Sequence, residues 1–143
     1  MRNITAANAE LFLGVADLFA IPQQIQGFSA DDVFDTEAID SAEVLMVVDG
    51  VMSAGFIFVP VKMSITLQAD SASNSLFDEW FAAEQTAKQK FFANATVKLV
   101  SIGTKWSMTN GVLTSFPPMP NGKKVLQPRK FGITWERISP ASE

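Results

Sequence analysis

The stretch "SAEVLMVVDGVMSAGFIFV", residues 41–59, decides the fold class of this chain. Two apolar runs flank Asp49-Gly50, and an Asp-Gly pair supplies the positive φ values that a tight hairpin turn requires. A membrane-spanning helix over the same residues would carry Asp49 near its middle, at a cost of roughly 2.5–3.5 kcal/mol, and two weakening glycines. The stretch therefore predicts a β-hairpin and excludes a spanning helix.

This hairpin has more apolar surface than one core can cover. The run "VLMVV" is apolar throughout, so Val44, Met46 and Val48 point to one face while Leu45 and Val47 point to the other. One of the two faces must be covered by something else, either more of this chain or another subunit.

Strand patterns continue on both sides of the hairpin. Residues 59–68 alternate apolar and polar, which predicts a strand with one solvated face. Residues 10–28 predict a strand–turn–strand unit whose second strand is limited by Pro22, and residues 29–40 predict a loop. Asn110-Gly111 predicts a second hairpin. Residues 131–138 predict a last strand with Phe131, Ile133 and Trp135 facing inward.

One segment has a helical period instead. Residues 70–92 begin with several N-cap candidates, place Asp78 and Glu79 in the predicted first turn and Lys88 and Lys90 in the last, and so match the helix dipole. Their apolar stripe consists of Phe77, Trp80, Phe81, Ala87 and Phe91. The sequence predicts a single domain over residues 1–143. It is mainly β, a small β-sandwich or barrel with a long central hairpin and one flanking α-helix at about 73–91.

Charge is distributed unevenly along the chain. Residues 1–61 hold one base and nine acids, a net charge of −8, whereas residues 62–143 hold ten bases and six acids, a net charge of +4. Such asymmetry indicates segregated surfaces that meet something complementary, although solvated carboxylates would also explain it. The basic cluster Lys123, Lys124, Arg129 and Lys130 is short and has no interleaved aromatics, which favours a solvated or interface patch over nucleic-acid binding.

The composition argues against catalysis. Cysteine, histidine and tyrosine are absent, which removes thiolate nucleophiles, imidazole acid–base chemistry and Cys- or His-bound metals. Asp31-Asp32 matches no known calcium-loop spacing, and the N-terminus lacks the pattern of a signal peptide. We expect no enzymatic activity, no cofactor, no metal and no membrane association.

The order of these features resembles the tail tube proteins of tailed bacteriophages, whose fold is shared with the tube protein of type VI secretion systems. The residues that carry the resemblance are the helix entry "ADSASNSLFDEW", the stretch "NGVLTSFPPMP" and the closing strand "RKFGITWER". It implies hexameric rings that stack into a hollow tube for DNA, with tape measure, baseplate and sheath proteins as further partners. It also implies a virion tail assembled in the bacterial host cytoplasm.

The resemblance further implies roles for individual residues, because that family builds its channel from the central hairpin. The channel-lining candidates are Asp35, Glu37, Asp40 and Glu43. The subunit-interface candidates are Val44, Met46, Val47, Val48, Lys123, Lys124, Arg129 and Lys130. A channel that carries DNA must not hold it by neutralising phosphates, and no Lys or Arg occurs from residue 3 to residue 61.

Two other functions fit the same sequence. The first is a monomeric β-sandwich binding module that uses the acidic 31–43 loop for a cation or a basic partner. The second is another ring-forming tail component, such as a terminator or a baseplate hub. Molecular mass in solution and electron microscopy would separate the binding module from the ring-forming proteins.

Overall fold

The structure is a computed structural model that describes residues 9–16, 18–28, 33–100 and 102–142. These described residues form ten strands and one helix, and a long loop over residues 116–128 precedes β9. They are β1 (Ala9–Val15), β2 (Phe19–Ile25), β3 (Phe34–Thr36), β4 (Ala42–Met46), β5 (Met52–Phe56), β6 (Val61–Leu67), α1 (Asn74–Ala87), β7 (Ala93–Leu99), β8 (Thr104–Ser115), β9 (Arg129–Trp135) and β10 (Arg137–Ser142).

Eight of the strands form one antiparallel sheet that folds into two layers. The order is β2-β1-β7-β8-β9-β6-β3, with β10 also paired to β8, and β4 and β5 form a separate two-stranded sheet. Strand β8 belongs to both layers, because its residues 104–109 pair with β10 while its residues 112–115 pair with β9. The predicted mainly-β sandwich with a long hairpin and one helix is confirmed.

The bend in β8 lies where a hairpin turn was predicted. That prediction was wrong: the strand continues through Asn110, whose φ is 50°, and Gly111. A Cβ at Gly111 would overlap the indole ring of Trp135. The Asn-Gly pair therefore bends one strand between two layers and admits a buried tryptophan, instead of reversing the chain.

The core lies between the two layers, where the alternating strands direct their apolar side chains. Met63, Ile65 and Leu67 of β6 are buried, as are Phe131 and Trp135 of β9. Fully burying a side chain of this size contributes about 1.5–3 kcal/mol. The inward faces predicted for these two strands are confirmed, and this core stabilises the sandwich without help from the central hairpin, which contributes no buried residue.

Helix α1 is shorter than expected, and its charges do not match the helix dipole as predicted. It begins at Asn74 and ends at Ala87, and neither its first turn nor its last carries the expected charge. The N-cap residue is Ser73, but its hydroxyl accepts the backbone N–H of Gln26 at 2.8 Å and so fastens the helix to the end of β2. Tertiary hydrogen bonding therefore replaces local capping.

Two of the four predicted dipole charges, Asp78 and Lys90, form ion pairs instead. Asp78 accepts from the buried Arg129 at 2.8 Å. Lys90 donates to the buried Glu84 at 3.2 Å, and Glu84 also accepts the backbone N–H of Phe91 at 3.0 Å. The Arg129–Asp78 pair joins the helix to β9, and Lys90 also donates to the carbonyl of Leu113 on β8 at 3.0 Å. Phe77 of the helix stacks on Phe131 with ring centroids 4.2 Å apart.

Several predicted boundaries also shift. Strand β2 runs through Pro22, which is tolerated because β2 is an edge strand. The predicted loop 29–40 contains the short strand β3, and its residues 29–32 lie outside the described part. The predicted strand 131–138 divides at Glu136, after which β10 pairs with a different part of β8. The local sequence pattern predicts where these strands lie but not which strands they pair with.

Candidate assembly surface

The β4–β5 hairpin carries one face that is apolar throughout. In its antiparallel register Ala42 lies opposite Phe56, Val44 opposite Ala54 and Met46 opposite Met52, and directly opposite residues project to the same side. We call this side the apolar face of the hairpin. Its members are Ala42, Val44, Met46, Met52, Ala54 and Phe56.

The other side is smaller and more polar. Here Glu43 lies opposite Gly55 and Leu45 opposite Ser53. We call this side the polar face of the hairpin. The amphipathic hairpin thus has one side suited to packing and one side, carrying Glu43, suited to water.

Neither face packs on the core of this chain. Every residue of β4 and β5 is exposed, and Phe56 and the neighbouring Phe58 keep 70% and 89% of their surface. The two rings contact each other edge to face, with centroids 4.9 Å apart. The sequence predicts that more of this chain or another subunit covers one face of 44–48, and within this chain both faces are exposed. A contiguous exposed apolar surface of this kind marks an interaction site.

The hairpin turn has three residues instead of the expected two. Val47 donates its N–H to the carbonyl of Val51 at 3.0 Å, and Gly50, with φ of 88°, donates to the carbonyl of Val47 at 2.9 Å. Asp49 does not adopt positive φ; its carboxylate accepts the Val51 N–H at 3.1 Å. Only Gly50 therefore supplies the left-handed conformation, and Val48 projects from the tip into solvent.

The four channel-lining candidates lie in three different settings. Asp35 is on β3, opposite Ser64. Glu37 and Asp40 lie in the segment 37–41, which we call the acidic linker, and Glu43 is on the polar face of the hairpin. All four are exposed. Asp40 and Glu43 do not share a regular strand, so the structure leaves Glu43 as the one candidate within the hairpin.

The four basic candidates do not form one surface cluster. Lys123 and Lys124 are exposed in the 116–128 loop, and Lys130 is exposed on β9. Arg129 is buried instead: its guanidinium also donates to the carbonyl of Pro117 at 2.8 Å. Alternation along β9 separates it from its neighbour Lys130, so Arg129 holds the helix to the sandwich within this chain.

A second basic surface was missed at the sequence level. The alternation that buries Val97 and Met108 turns Lys98 and Lys105 to the outer side of the layer β2-β1-β7-β8-β10. The two lysines lie directly opposite each other, and Arg137 lies on the same side of β10. We call this surface the basic face. It could not be found from spacing, because its three residues come from strands that pair only in the fold.

Concave sites in the described residues carry little chemistry. An apolar cavity of about 370 Å³ opens between β3 and β10, with Asp35, Trp106 and Ile138 among its lining residues. Over the described ranges, no group of three or more acidic side chains is placed to hold a metal ion. Asp31 and Asp32, the start of the proposed cation-binding loop, lie outside these ranges. The described part also contains no helix long and apolar enough to cross a membrane.

Comparison with solved structures shows a shared fold. The tube-terminating cap of the anti-feeding prophage superposes with a TM-score of 0.63 at 11% identity, over 100% of this chain and 93% of that chain. The sheath/tube terminator of the PVC extracellular contractile injection system gives 0.60 at 13% identity, over 92% and 93%. The sheath–tube complex of that system gives 0.56 at 13% identity, over 93% and 88%. No curated protein sequence matches this chain.

A family model described as "Tail fiber protein gp32" matches residues 2–139, which is nearly the whole chain. The resemblance to tail proteins is thereby confirmed, and the chain is a structural component of a phage or phage-like tail and not an enzyme. The family description names a fiber, whereas the superposed structures belong to a cap, a terminator and a tube complex, whose fold this chain shares. By this match over its sequence, the chain belongs to the tail fiber protein gp32 family.

Proposed function

We propose that this protein is the tail tube subunit, which assembles into hexameric rings that stack as a hollow conduit for DNA. The observation that carries the proposal is the β4–β5 hairpin, which projects from a complete sandwich core with an exposed apolar face. A monomer gains nothing from this face, whereas a ring of such hairpins would bury it.

The energetics of the hairpin favour assembly. A two-stranded sheet alone in water is at best marginally stable. Covering the side chains of Val44, Met46 and Phe56 would contribute about 1.5–3 kcal/mol each before the entropic cost of association is subtracted. Hairpins of neighbouring subunits closing into one barrel would also pair the free edges of β4 and β5.

The polar face would then line the channel. Glu43 is its charged residue within the hairpin, and six copies per ring would repel phosphates and keep a duplex free to slide. Asp35, Glu37 and Asp40 add negative charge on the approach to the hairpin. The described chain carries no cation from residue 33 to residue 61, so no group in this region would grip DNA.

The remaining contacts belong to the tail around the ring. Exposed Lys123, Lys124 and Lys130 supply cations for carboxylates of an adjacent ring, although each such surface pair is worth only about 0–1 kcal/mol. Tape measure, baseplate and sheath proteins are the expected further partners. Assembly would take place in the cytoplasm of a bacterial host.

A second candidate is a ring that ends the tube. The superpositions on a cap and on a terminator, at TM-scores of 0.63 and 0.60, support it. A terminator would use the same hairpin to form a ring but would present only one surface for stacking.

Sedimentation velocity with negative-stain microscopy tests the proposal. Purified protein is expected to form sixfold rings that stack into tubes as its concentration rises. Isolated rings that never stack would favour the terminator. A folded monomer that persists at high concentration would contradict both ring-forming functions and favour a binding module.

A further inference from the structure

We propose that the basic face binds the acidic linker of a neighbouring copy of this chain, and that this contact orients adjacent subunits in the ring. The inference rests on the proposed ring assembly and adds a named contact to it. Its two halves are the cations Lys98, Lys105 and Arg137 and the carboxylates Glu37 and Asp40.

The arrangement of the two lysines needs an anion. Lys98 and Lys105 lie directly opposite each other on β7 and β8, where like charges destabilise a sheet. The nitrogen of Lys98 lies 5.7 Å from the ring centroid of Phe12, which draws the side chain down on the sheet surface. Glu10 is opposite Lys98 on β1, but among the described residues neither lysine forms a salt bridge. In the described part of the chain, Glu10 is thus the carboxylate that strand pairing places beside these two cations.

The surface around these cations suits an extended polar segment. Thr96, Ser107 and Ser139 lie on the same outer side, and a shallow groove of about 520 Å³ runs past Lys98 and Lys105. Arg137 lies opposite Thr109, which is four residues beyond Lys105 along β8. This spacing places Arg137 about 13 Å from the pair formed by Lys98 and Lys105. Hydroxyl groups between cations can accept or donate to a backbone laid across them.

The acidic linker has the complementary charge and length. Glu37 and Asp40 are exposed, and neither carboxylate is paired with a cation within the described residues. Extended chain places them about 10 Å apart, so long lysine and arginine side chains can reach both. The linker joins the sandwich to the hairpin. In a ring made by neighbouring hairpins it therefore lies at the boundary between subunits.

Charge complementarity selects a second copy as the occupant. Interfaces that form rings are heterologous, so each chain must carry both halves of the contact on different surfaces. The basic face lies on the layer containing β7, β8 and β10, whereas the acidic linker follows β3 at the edge of the other layer. The hairpin interface buries apolar surface area, and this electrostatic contact fixes the register and orientation of neighbouring subunits.

Site-directed crosslinking tests the contact, since the chain contains no cysteine of its own. Asp40→Cys protein and size-tagged Lys105→Cys protein would be mixed, assembled and treated with a short bis-maleimide. The expected product is a crosslinked species that contains one chain of each kind. Thr114→Cys, exposed on the outer side of the other layer, replaces Lys105→Cys as the control and is expected to give at least tenfold less mixed product.

A charge-swap cycle gives an independent readout. Lys105→Glu and Asp40→Lys are each expected to raise the protein concentration needed for ring formation about tenfold, and the two substitutions together are expected to recover most of that loss. Lys88→Glu makes the same charge change as Lys105→Glu at the exposed end of α1 and is expected to leave ring formation unchanged.

The outcomes separate this inference from the proposed function. Rings that form normally in the wild type while the mixed crosslink is no stronger than the control, or while the two charge changes add without recovery, would overturn the contact alone. Wild-type protein that never forms rings would overturn the proposed function and this contact together.

Discussion

Gly111 is the residue at which backbone and core constrain each other most tightly. Gly111→Ala would place a methyl group against the indole of the fully buried Trp135. Overpacking of this kind costs about 1–3 kcal/mol. We expect the urea midpoint of unfolding to fall accordingly, measured at a protein concentration below assembly.

The matched control is Gly122→Ala, in the 116–128 loop, where an added Cβ meets nothing within 4 Å. It is expected to leave the free energy of unfolding unchanged or slightly higher, because alanine restricts the unfolded chain. Equal stability of both variants would show that Trp135 can move aside.

The buried Arg129 gives a second prediction at this scale. Its guanidinium is 5% exposed, lies 5.0 Å from the ring centroid of Phe131 and donates to Asp78, whose side chain is 49% exposed. Asp78→Asn removes the partner charge and is expected to cost about 1–2 kcal/mol, less than for a fully buried pair because water screens Asp78. The measurement is again urea unfolding.

Glu79→Gln serves as its control, since it removes a charge from the next residue of the same helix, where the side chain is exposed. We expect a change within about 0.5 kcal/mol. If both variants lost the same stability, the net charge of the helix would be responsible and not the Arg129 pair.

These residues show what a single sequence could not reveal. Asn110-Gly111 has the composition of a turn, but the need for glycine comes from Trp135, 24 positions later. Ser73 has the composition of a helix cap, yet its hydroxyl binds the backbone of residue 26. In both cases the local sequence pattern marks a real structural feature, but a tertiary contact determines which structure forms there.

At the scale of elements, the hairpin is expected to contribute to assembly but not to the folding of the monomer. Met46 lies on the apolar face, Val47 begins the turn, and both side chains are largely exposed. Neither Met46→Asp nor Val47→Asp is expected to lower the melting temperature of the monomer. Met46→Asp is expected to raise the concentration needed for assembly at least tenfold, because it would bury an unpaired charge at the interface.

Val47→Asp is expected to have a smaller effect, since aspartate at the turn can remain in water. Circular dichroism and size-exclusion chromatography would be run on both variants. Assembly of Met46→Asp at wild-type concentrations would show that the apolar face is not an interface. If more of this chain covered one face of 44–48, one of the two substitutions would instead prevent folding.

Elements with one solvated face were the most predictable from sequence. Strands β6 and β9 alternate strictly, so both their existence and their inward residues follow from the pattern. The hairpin was predictable as an element, but its isolation from the core was not, because a run that is apolar on both faces does not say which face is covered. Strand β10 was missed because its pairing with β8 is not local.

At the scale of the whole molecule, the lack of cations from residue 33 to residue 61 predicts that DNA slides through the channel without being held. Glu43→Lys particles are expected to form tubes of normal morphology, because the polar face of the hairpin faces water. Six lysines per ring, repeated along the stack, would grip phosphates and slow ejection. Ejection rate and tube morphology would be measured together, with Glu43→Gln as a control that removes the acid without adding a cation.

Asp40 is the other channel candidate beside the hairpin, so Asp40→Lys belongs in the same experiment, combined with Lys105→Glu to restore ring formation. Normal ejection from both lysine variants, with intact tubes, would contradict the explanation that the channel repels DNA. Slow ejection from Glu43→Lys alone would place the polar face of the hairpin in the channel and the acidic linker outside it.

Stacking is expected to depend on salt. If Lys123, Lys124 and Lys130 pair with carboxylates of the adjacent ring, tube length should fall as ionic strength rises, since exposed pairs are screened. Reversing these three charges should abolish that dependence while single rings persist. Wild-type tubes whose length does not respond to salt would rule out this role.

The candidate site was predictable only in part. The lack of cations from residue 3 to residue 61 and the amphipathic hairpin are properties of continuous sequence, and both were found there. The basic face joins Lys98, Lys105 and Arg137 from three strands, and the burial of Arg129 depends on Asp78, 51 positions away. Sites made by strand pairing are not visible until the pairing is known.

The independence of the hairpin from the core also makes it a replaceable part. No side chain between residues 37 and 60 is buried, whereas the sandwich holds a complete core made by the other strands and the helix. Substitutions on the polar face, or a change in hairpin length, therefore meet no packing constraint from the body that carries them. The bore and the surface charge of a tube built from this subunit could therefore change over evolution, or by design, through the hairpin alone. The sandwich, on which folding depends, would stay the same.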